Sequence, residues 1–335
     1  MAERINALVP TPPDEGLVRT AMRRAVIPAL LLGAFVGGCA TPALVPDASR
    51  LAPWTIQLRD SQPEGARAAV YRYRGRPFVF VGASHSTDTE SPTFRLINQE
   101  YEAFDFDTAI VEGVKYASGP NPSRLLAYVA ESEAVGSFQP AGETVPAVQG
   151  ALREGAVVRG GEPADSDVLA LATGFGVSEA DVLGFYVLRN VPQWLQERKI
   201  EGPGDPRTTP LVEAALAKDR AALGLGPDTL PDYASWAEWY ERTNGRPFGD
   251  RFQAEEVGPL ADGPHGTNRA AYAISRARDS FLLERVADHL GRGEAVVVIY
   301  GASHLPILRP ALDAMLGPAC YVGTDLSEAR AECRD

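Results

Sequence analysis

One tetrapeptide occurs twice in this chain and constrains its fold more than any other feature. Phe78-Val79-Phe80-Val81 runs into Gly82-Ala83-Ser84-His85, and 219 residues later Val297-Val298-Ile299-Tyr300 runs into Gly301-Ala302-Ser303-His304. Each copy leads into a helical segment and then a further β-rich one, at 108–112 and at 320–324. Near-continuous apolar strands that alternate with helices predict a mostly parallel sheet covered on both faces. The expected fold class is therefore α/β. Its central, mostly parallel sheet is flanked by helices and built from two duplicated strand-loop-helix-strand units with a helical insertion between them.

Around that repeat the pattern predicts a hairpin from strands at 67–72 and 77–81, turning at Arg74-Gly75-Arg76. Ser91 caps and Pro92 opens a helix whose apolar stripe is Phe94, Ile97, Tyr101 and Phe104, followed by a strand at 107–111. The middle reads as helices at 122–134, 145–153, 165–174, 178–199, 209–223 and 232–243, with Pro192 kinking or ending the fourth. Trp236, Trp239 and Tyr240 read as packing residues. A Gly/Pro-rich stretch at 244–266 reads as a long loop, mobile or functional. A helix at 267–291, a strand at 295–300, a helix at 307–316 and a strand at 319–323 complete the pass.

In such sheets ligands bind at the carboxyl ends of the strands. His85, His304 and Glu112 all fall at predicted strand ends, so the three are expected to share one edge. Of the other two histidines, His265 falls in the long loop and His289, among Asp288 and Arg285, on a solvated helix face. Glu162 follows Gly160-Gly161, and Arg278 stands beside Asp279, with which it could form a plain ion pair. Two imidazoles and two carboxylates (His85, Glu112, Glu162, His304) suffice for a divalent metal with an open position. Without metal, His85 can act as base on water, with Glu112 orienting its ring and Arg278 stabilising an oxyanion. Either chemistry needs neutral imidazole, so activity is expected to fall as pH drops through about 6.5. Ser84 and Ser303 do not form a nucleophile elbow, because Ser86 and Pro306 stand where its final glycine belongs. A different class remains open: a binding protein holding haem or another ligand through His85 or His304 without turnover.

The N-terminal part reads as an address. Arg23-Arg24, an apolar run from Ala25 to Val36 and Val36-Gly37-Gly38-Cys39 form a secretory signal over 22–39, ending in a sequence that resembles a bacterial lipobox. Cys39 is then the lipidated residue, Met22 the start, 1–21 an extension, 40–60 a tether and 61–330 the folded domain. Ala40 after the cysteine gives no signal for inner-membrane retention, so the expected place is the cell envelope: anchored to the outer membrane, facing the periplasm, touching membrane only through lipid. Cys320 and Cys333 are a plausible disulfide in that oxidising setting. Lys+Arg 32 against Asp+Glu 44 leaves net charge −12, which tells against nucleic acid as a partner and leaves a small molecule or peptide as the expected substrate.

Taken together, two Gly-x-x-His motifs flanking a helical middle, Ile110-Val111-Glu112-Gly113, Gly160-Gly161-Glu162 and Arg276-Ala277-Arg278-Asp279 resemble the TraB/Tiki/erythromycin-esterase superfamily, which includes ChaN-type haem-binding lipoproteins. The resemblance covers about residues 65–325. It implies an α/β fold and a site in which His85 and His304 are the motif histidines, Glu112 the strand-end acid, Glu162 the middle glutamate and Arg278 the helix arginine. Members include metal-dependent peptidases, metal-free esterases and non-enzymatic proteins. Ala83 stands where the esterases carry glutamate, which tells against lactone hydrolysis.

Overall fold

A computed structural model describes residues 44–134, 142–249 and 251–333. Among them six strands form one sheet: β1 (Arg67–Tyr73), β2 (Arg76–Ala83), β3 (Thr108–Lys115), β4 (Val157–Glu162), β5 (Val296–Gly301) and β6 (Tyr321–Gly323), ordered β4-β3-β5-β2-β1-β6. The pairs β4-β3, β3-β5 and β5-β2 are parallel, and only β1 runs against its neighbours. The mostly parallel α/β architecture is as the sequence predicts. The hairpin turns at Arg74 and Gly75, both with positive φ (51° and 75°), the two-residue loop whose twist matches the flanking strands.

The helices, in chain order, are α1 (Ile56–Ser61), α2 (Pro92–Ala103), α3 (Ser123–Ala134), α4 (Thr144–Glu154), α5 (Asp165–Gly174) and α6 (Glu179–Leu188). After them come α7 (Val191–Gln196), α8 (Thr208–Leu223), α9 (Tyr233–Asn244), α10 (Asn268–Gly291), α11 (His304–Leu316) and α12 (Leu326–Glu332). Strand alternation sends Val79, Val81, Val111, Val297 and Ile299 into a core with residues of α2, α3, α4 and α12. The opposite face, with Phe78, Phe80, Ile110, Val298 and Tyr300, packs on α10 and α11. A third core joins α5 to α9, around the fully buried Trp236, to the first half of α10 through Ala270, Ile274 and Ala277. The second half of α10 turns Leu282, Leu283 and Val286 onto the sheet. Arg278 and Asp279 sit at that changeover, where one helix leaves the helical layer and reaches the strand ends.

Several expectations change. The segment expected as one helix at 178–199 is two, parted at Arg189-Asn190, with Pro192 in the first turn of α7. The two tetrapeptide copies differ locally: His85 lies in the chain before α2, whereas His304 is itself the first residue of α11. Strand β4, unforeseen among the helices, adds an edge beside β3. The loop at 244–266 is built rather than loose, holding a 3-10 turn (Ala254–Val257) whose Glu256 is fully buried and accepts from Tyr240 and Arg246. His289 is buried, not solvated. Its Nδ1 lies 2.6 Å from Glu294 Oε2, its Nε2 lies 3.2 Å from the Tyr116 hydroxyl, and burial lowers its pKa. Within the stretch expected as a tether at 40–60, Leu51 and Trp54 are buried and Ala52 N–H donates to Ile307 O at 2.9 Å, so this part belongs to the core. Cys320 and Cys333 are disulfide-bonded, with Cα atoms 5.4 Å apart. Cys39 and the signal segment 22–39 lie outside the described residues.

Candidate functional site

The carboxyl ends of β3, β4 and β5 carry Glu112, Glu162 and Gly301, and their geometry depends on glycine. Gly113 takes φ +80° beside a register shift between Val111 and Lys115, and its N–H donates to Glu162 Oε1 at 3.3 Å. On β4 a methyl group at Gly160 would lie 2.1 Å from Val114 O, and one at Gly161 would lie 2.5 Å from the Tyr300 ring. Only glycine permits both approaches. They bring β4 close enough for Glu162 Oε1 to accept from the Tyr300 hydroxyl at 3.2 Å.

Arg278 stands between the two strand-end acids. Its Nε donates to Glu162 Oε2 at 2.7 Å, and its Nη2 donates to Glu162 Oε1 at 2.6 Å and to Glu112 Oε1 at 2.7 Å. The second oxygen of Glu112 accepts from Gly301 N–H at 2.7 Å. Next to Arg278 on α10, Asp279 Oδ1 meets His304 Nδ1 at 2.5 Å, and His304 Nε2 lies 3.7 Å from Glu112 Oε1. The alternative of an Arg278–Asp279 ion pair is thus replaced by two separate pairings. Across the edge, His85 Nδ1 meets Glu143 Oε1 at 2.5 Å. A methyl group on Gly301 would touch all three elements, 3.3 Å from Glu112 Oε2 and 3.7 Å from both His304 Cδ2 and His85 Nε2. The two histidines therefore approach to within twice that last distance, as their strand-end placement predicts.

The charges balance by geometry. Burial works to strip His304 of its proton, but Asp279 and Glu112 outweigh it and push its pKa up to about 10. Burial also works to raise Glu112, yet the His304 hydrogen bond, Arg278 and the Gly301 N–H hold its carboxyl well below the usual range. Glu162 is lowered too, with Arg278 overcoming burial and the repulsion of Glu112. The Tyr300 phenol, pushed well up by burial, stays protonated and edges onto the His304 ring at 5.2 Å. At neutral pH His304 is thus an imidazolium. His85 differs: its side chain is 67% exposed, and the Glu143 hydrogen bond raises its pKa against a smaller lowering by burial.

The role assignments change accordingly. Glu143, not Glu112, orients His85. His304 is a buried cation rather than a second neutral base. The four side chains expected as metal ligands come together, and as arranged three of their four carboxylate oxygens accept from Arg278 and the fourth from a backbone N–H. Among the described residues no group of three or more His, Cys, Asp or Glu is placed to hold a metal ion. Sequence reasoning missed Glu143 and the pairing role of Asp279. Asp279 had a signal, its place beside Arg278 on the same helix, while Glu143 precedes α4 with no motif around it. His265 lies in the loop before α10, away from this cluster in sequence and in partners, its N–H donating to Asn268 Oδ1.

Among known proteins, no family model, no curated protein and no solved structure matches this chain.

Proposed function

We propose that this protein is a metal-independent hydrolase of carboxylic esters or amides, related to the TraB/Tiki/erythromycin-esterase superfamily and working outside the cytoplasm as a lipoprotein attached through Cys39. The observation that carries the chemistry is the His85–Glu143 pair: one imidazole nitrogen is held by a carboxylate and the other faces the strand ends. A cavity of about 10 Å³ bounded by Ala83, Glu112, Glu143 and Tyr300 lies beside it, about the room one water needs. His85 Nε2 takes a proton from a water at the strand ends as its oxygen bonds to the substrate carbonyl carbon. The carbonyl oxygen gains charge beside Arg278, whose guanidinium is pre-set by Glu162 and Glu112. His85 then returns the proton to the departing oxygen or nitrogen as the carbon–heteroatom bond breaks. His304 and Asp279 hold Glu112 ionised and the strand ends fixed. The disulfide suits an oxidising compartment, and no helix among the described residues is long and apolar enough to cross a membrane.

The test is an ester and amide panel assayed with the wild-type protein, His85→Ala and Glu143→Gln. His85→Ala should abolish turnover, and Glu143→Gln should lower kcat more than KM. Since neutral His85 is the base and its pKa is raised, the acidic limb of the kcat/KM profile should lie above 6.5 and move down in Glu143→Gln. Full activity in His85→Ala would overturn the reading. Turnover-free protein that gives a Soret band with haem, lost in His85→Ala, would replace it with the ligand-binding alternative.

A further inference from the structure

On the sheet face that carries Tyr300 and Glu112, a second concavity opens at the same strand edge, toward β1 and β6. It encloses about 210 Å³, and Trp54, Leu305, Pro306 and Val322 give it apolar walls. Gly82, Ala302 and Ser303 form part of its lining, each within three residues of His85 or His304 along the chain. The two tetrapeptides are joined there: Ala302 N–H donates to Ala83 O at 2.8 Å, and a methyl group on Gly82 would lie 3.2 Å from Ala302 Cα. A ligand in this groove therefore rests on the backbone that carries the site histidines.

One charged wall residue is unusual. Arg67, paired in register with Gly82 at the start of β1, lines the groove and makes no ion pair with any described residue. Its Nε is shut off from solvent and has no hydrogen-bond partner. Arg159, Arg189, Arg220 and Arg285 also bury an unpartnered Nε, so what sets Arg67 apart is its place in the groove wall without an ion pair to any described residue. In a chain of net charge −12, with acids abundant, no described carboxylate neutralises this cation. The other arginine of the lining, Arg309, is already engaged with Asp313 at 3.6 Å.

We infer that the groove binds an apolar arm ending in a carboxylate, with the acid group on Arg67 and the chain against Trp54, Leu305 and Val322. The volume is below the roughly 300 Å³ at which pockets take a whole drug-sized ligand, so it accommodates one arm of a larger molecule. If the hydrolase reading holds, that molecule is the substrate, and the scissile carbonyl lies beyond Ser303 at the histidines. The inference rests on that reading only for the word substrate; binding in the groove does not require turnover.

The probe is octanoate, compared with octanamide, which has the same chain and no charge. Trp54 reports directly, because Trp194, Trp236 and Trp239 belong to the helical core. Calorimetry and Trp54 emission should show saturable octanoate binding about tenfold tighter than octanamide, as expected for a charged hydrogen-bonded partner. Arg67→Met should remove that preference and leave octanamide binding intact, whereas Arg67→Lys should retain part of it. The acid-over-amide comparison needs no variant, so a poorly folding Arg67→Met does not leave the question open. The His85→Ala protein should bind octanoate as the wild type does, which separates this inference from the catalytic one. No saturable binding, equal affinity for acid and amide, or an acid preference that survives Arg67→Met would overturn it. Where an ester is turned over, octanoate should inhibit competitively; purely noncompetitive inhibition would remove the groove from the substrate's path.

Discussion

Replacing Asp279 with Asn tests the buried charge lattice at its most sensitive point. In the folded protein the His304 imidazolium lies between Asp279 and Glu112, and its pKa stands at about 10 against 6.5 for free imidazole. A folded pKa raised in this way adds stability that is fully present below pH 6.5 and is lost as pH climbs from there through about 10. At about 1.4 kcal/mol per unit the ceiling of that contribution is about 5 kcal/mol. Breaking a buried pair from one side costs about 3–5 kcal/mol by an independent route, so the two magnitudes agree. Urea unfolding at pH 7 should therefore show Asp279→Asn weaker than wild type by about 3–5 kcal/mol. By pH 10.5, where His304 is neutral in both proteins, most of that gap should close. Comparing the two proteins cancels the tyrosines and lysines that titrate in the same range. With only four histidines in the chain, the His304 ring can be assigned by NMR using His304→Gln. A wild-type His304 that titrates near 6.5, or a stability gap that stays constant from pH 7 to 10.5, would refute the reasoning.

Three further outcomes follow from particular contacts. Dialysis against EDTA should leave hydrolysis unchanged, because Glu112 and Glu162 already spend their oxygens on Arg278 and Gly301; loss of activity restored by a divalent ion would restore the metal reading. Glu100 is fully buried with neither carboxyl oxygen hydrogen-bonded, and burial raises its pKa well above the usual value. Its cost should grow as pH rises above about 4.3, so Glu100→Leu should stabilise the fold at pH 7 and progressively less toward pH 4, which thermal melts at both values will read. Reducing Cys320–Cys333, a 13-residue separation, should lower stability by about 3 kcal/mol in urea unfolding, and a change near zero would mean that β6 and α12 hold without it.

What the sequence discloses about the fold is what periodicity can carry. Apolar runs at 78–81 and 297–300 have no competing helical period, and their ends coincide with β2 and β5 to within two residues. Strand β4 escaped because Gly160 and Gly161 read locally as punctuation. Their actual use is closeness, since Val114 O and the Tyr300 ring occupy the space where side chains would stand. That is a tertiary constraint with no local trace. The break between α6 and α7 was half legible: Pro192 marks it, but only packing decides that the chain turns at Arg189-Asn190 before the proline rather than kinking on it.

The site shows the same division between position and state. That His85, Glu112, Glu162, His304 and Arg278 converge follows from strand ends and one helix, and each was nameable from its motif. Which of them pair did not follow, because protonation depends on neighbours brought from other elements. His85 and His304 sit in identical tetrapeptides, yet Glu143 approaches one from the turn before α4, and Asp279 approaches the other from the middle of α10. One ring is left 67% exposed with a nitrogen toward the strand ends, and the other is buried between two carboxylates. Identical local sequence thus yields an exposed imidazole paired with Glu143 and a buried one held between two carboxylates. The difference is made by where α4 and α10 deliver their acids, and the Asp279→Asn comparison measures that difference directly.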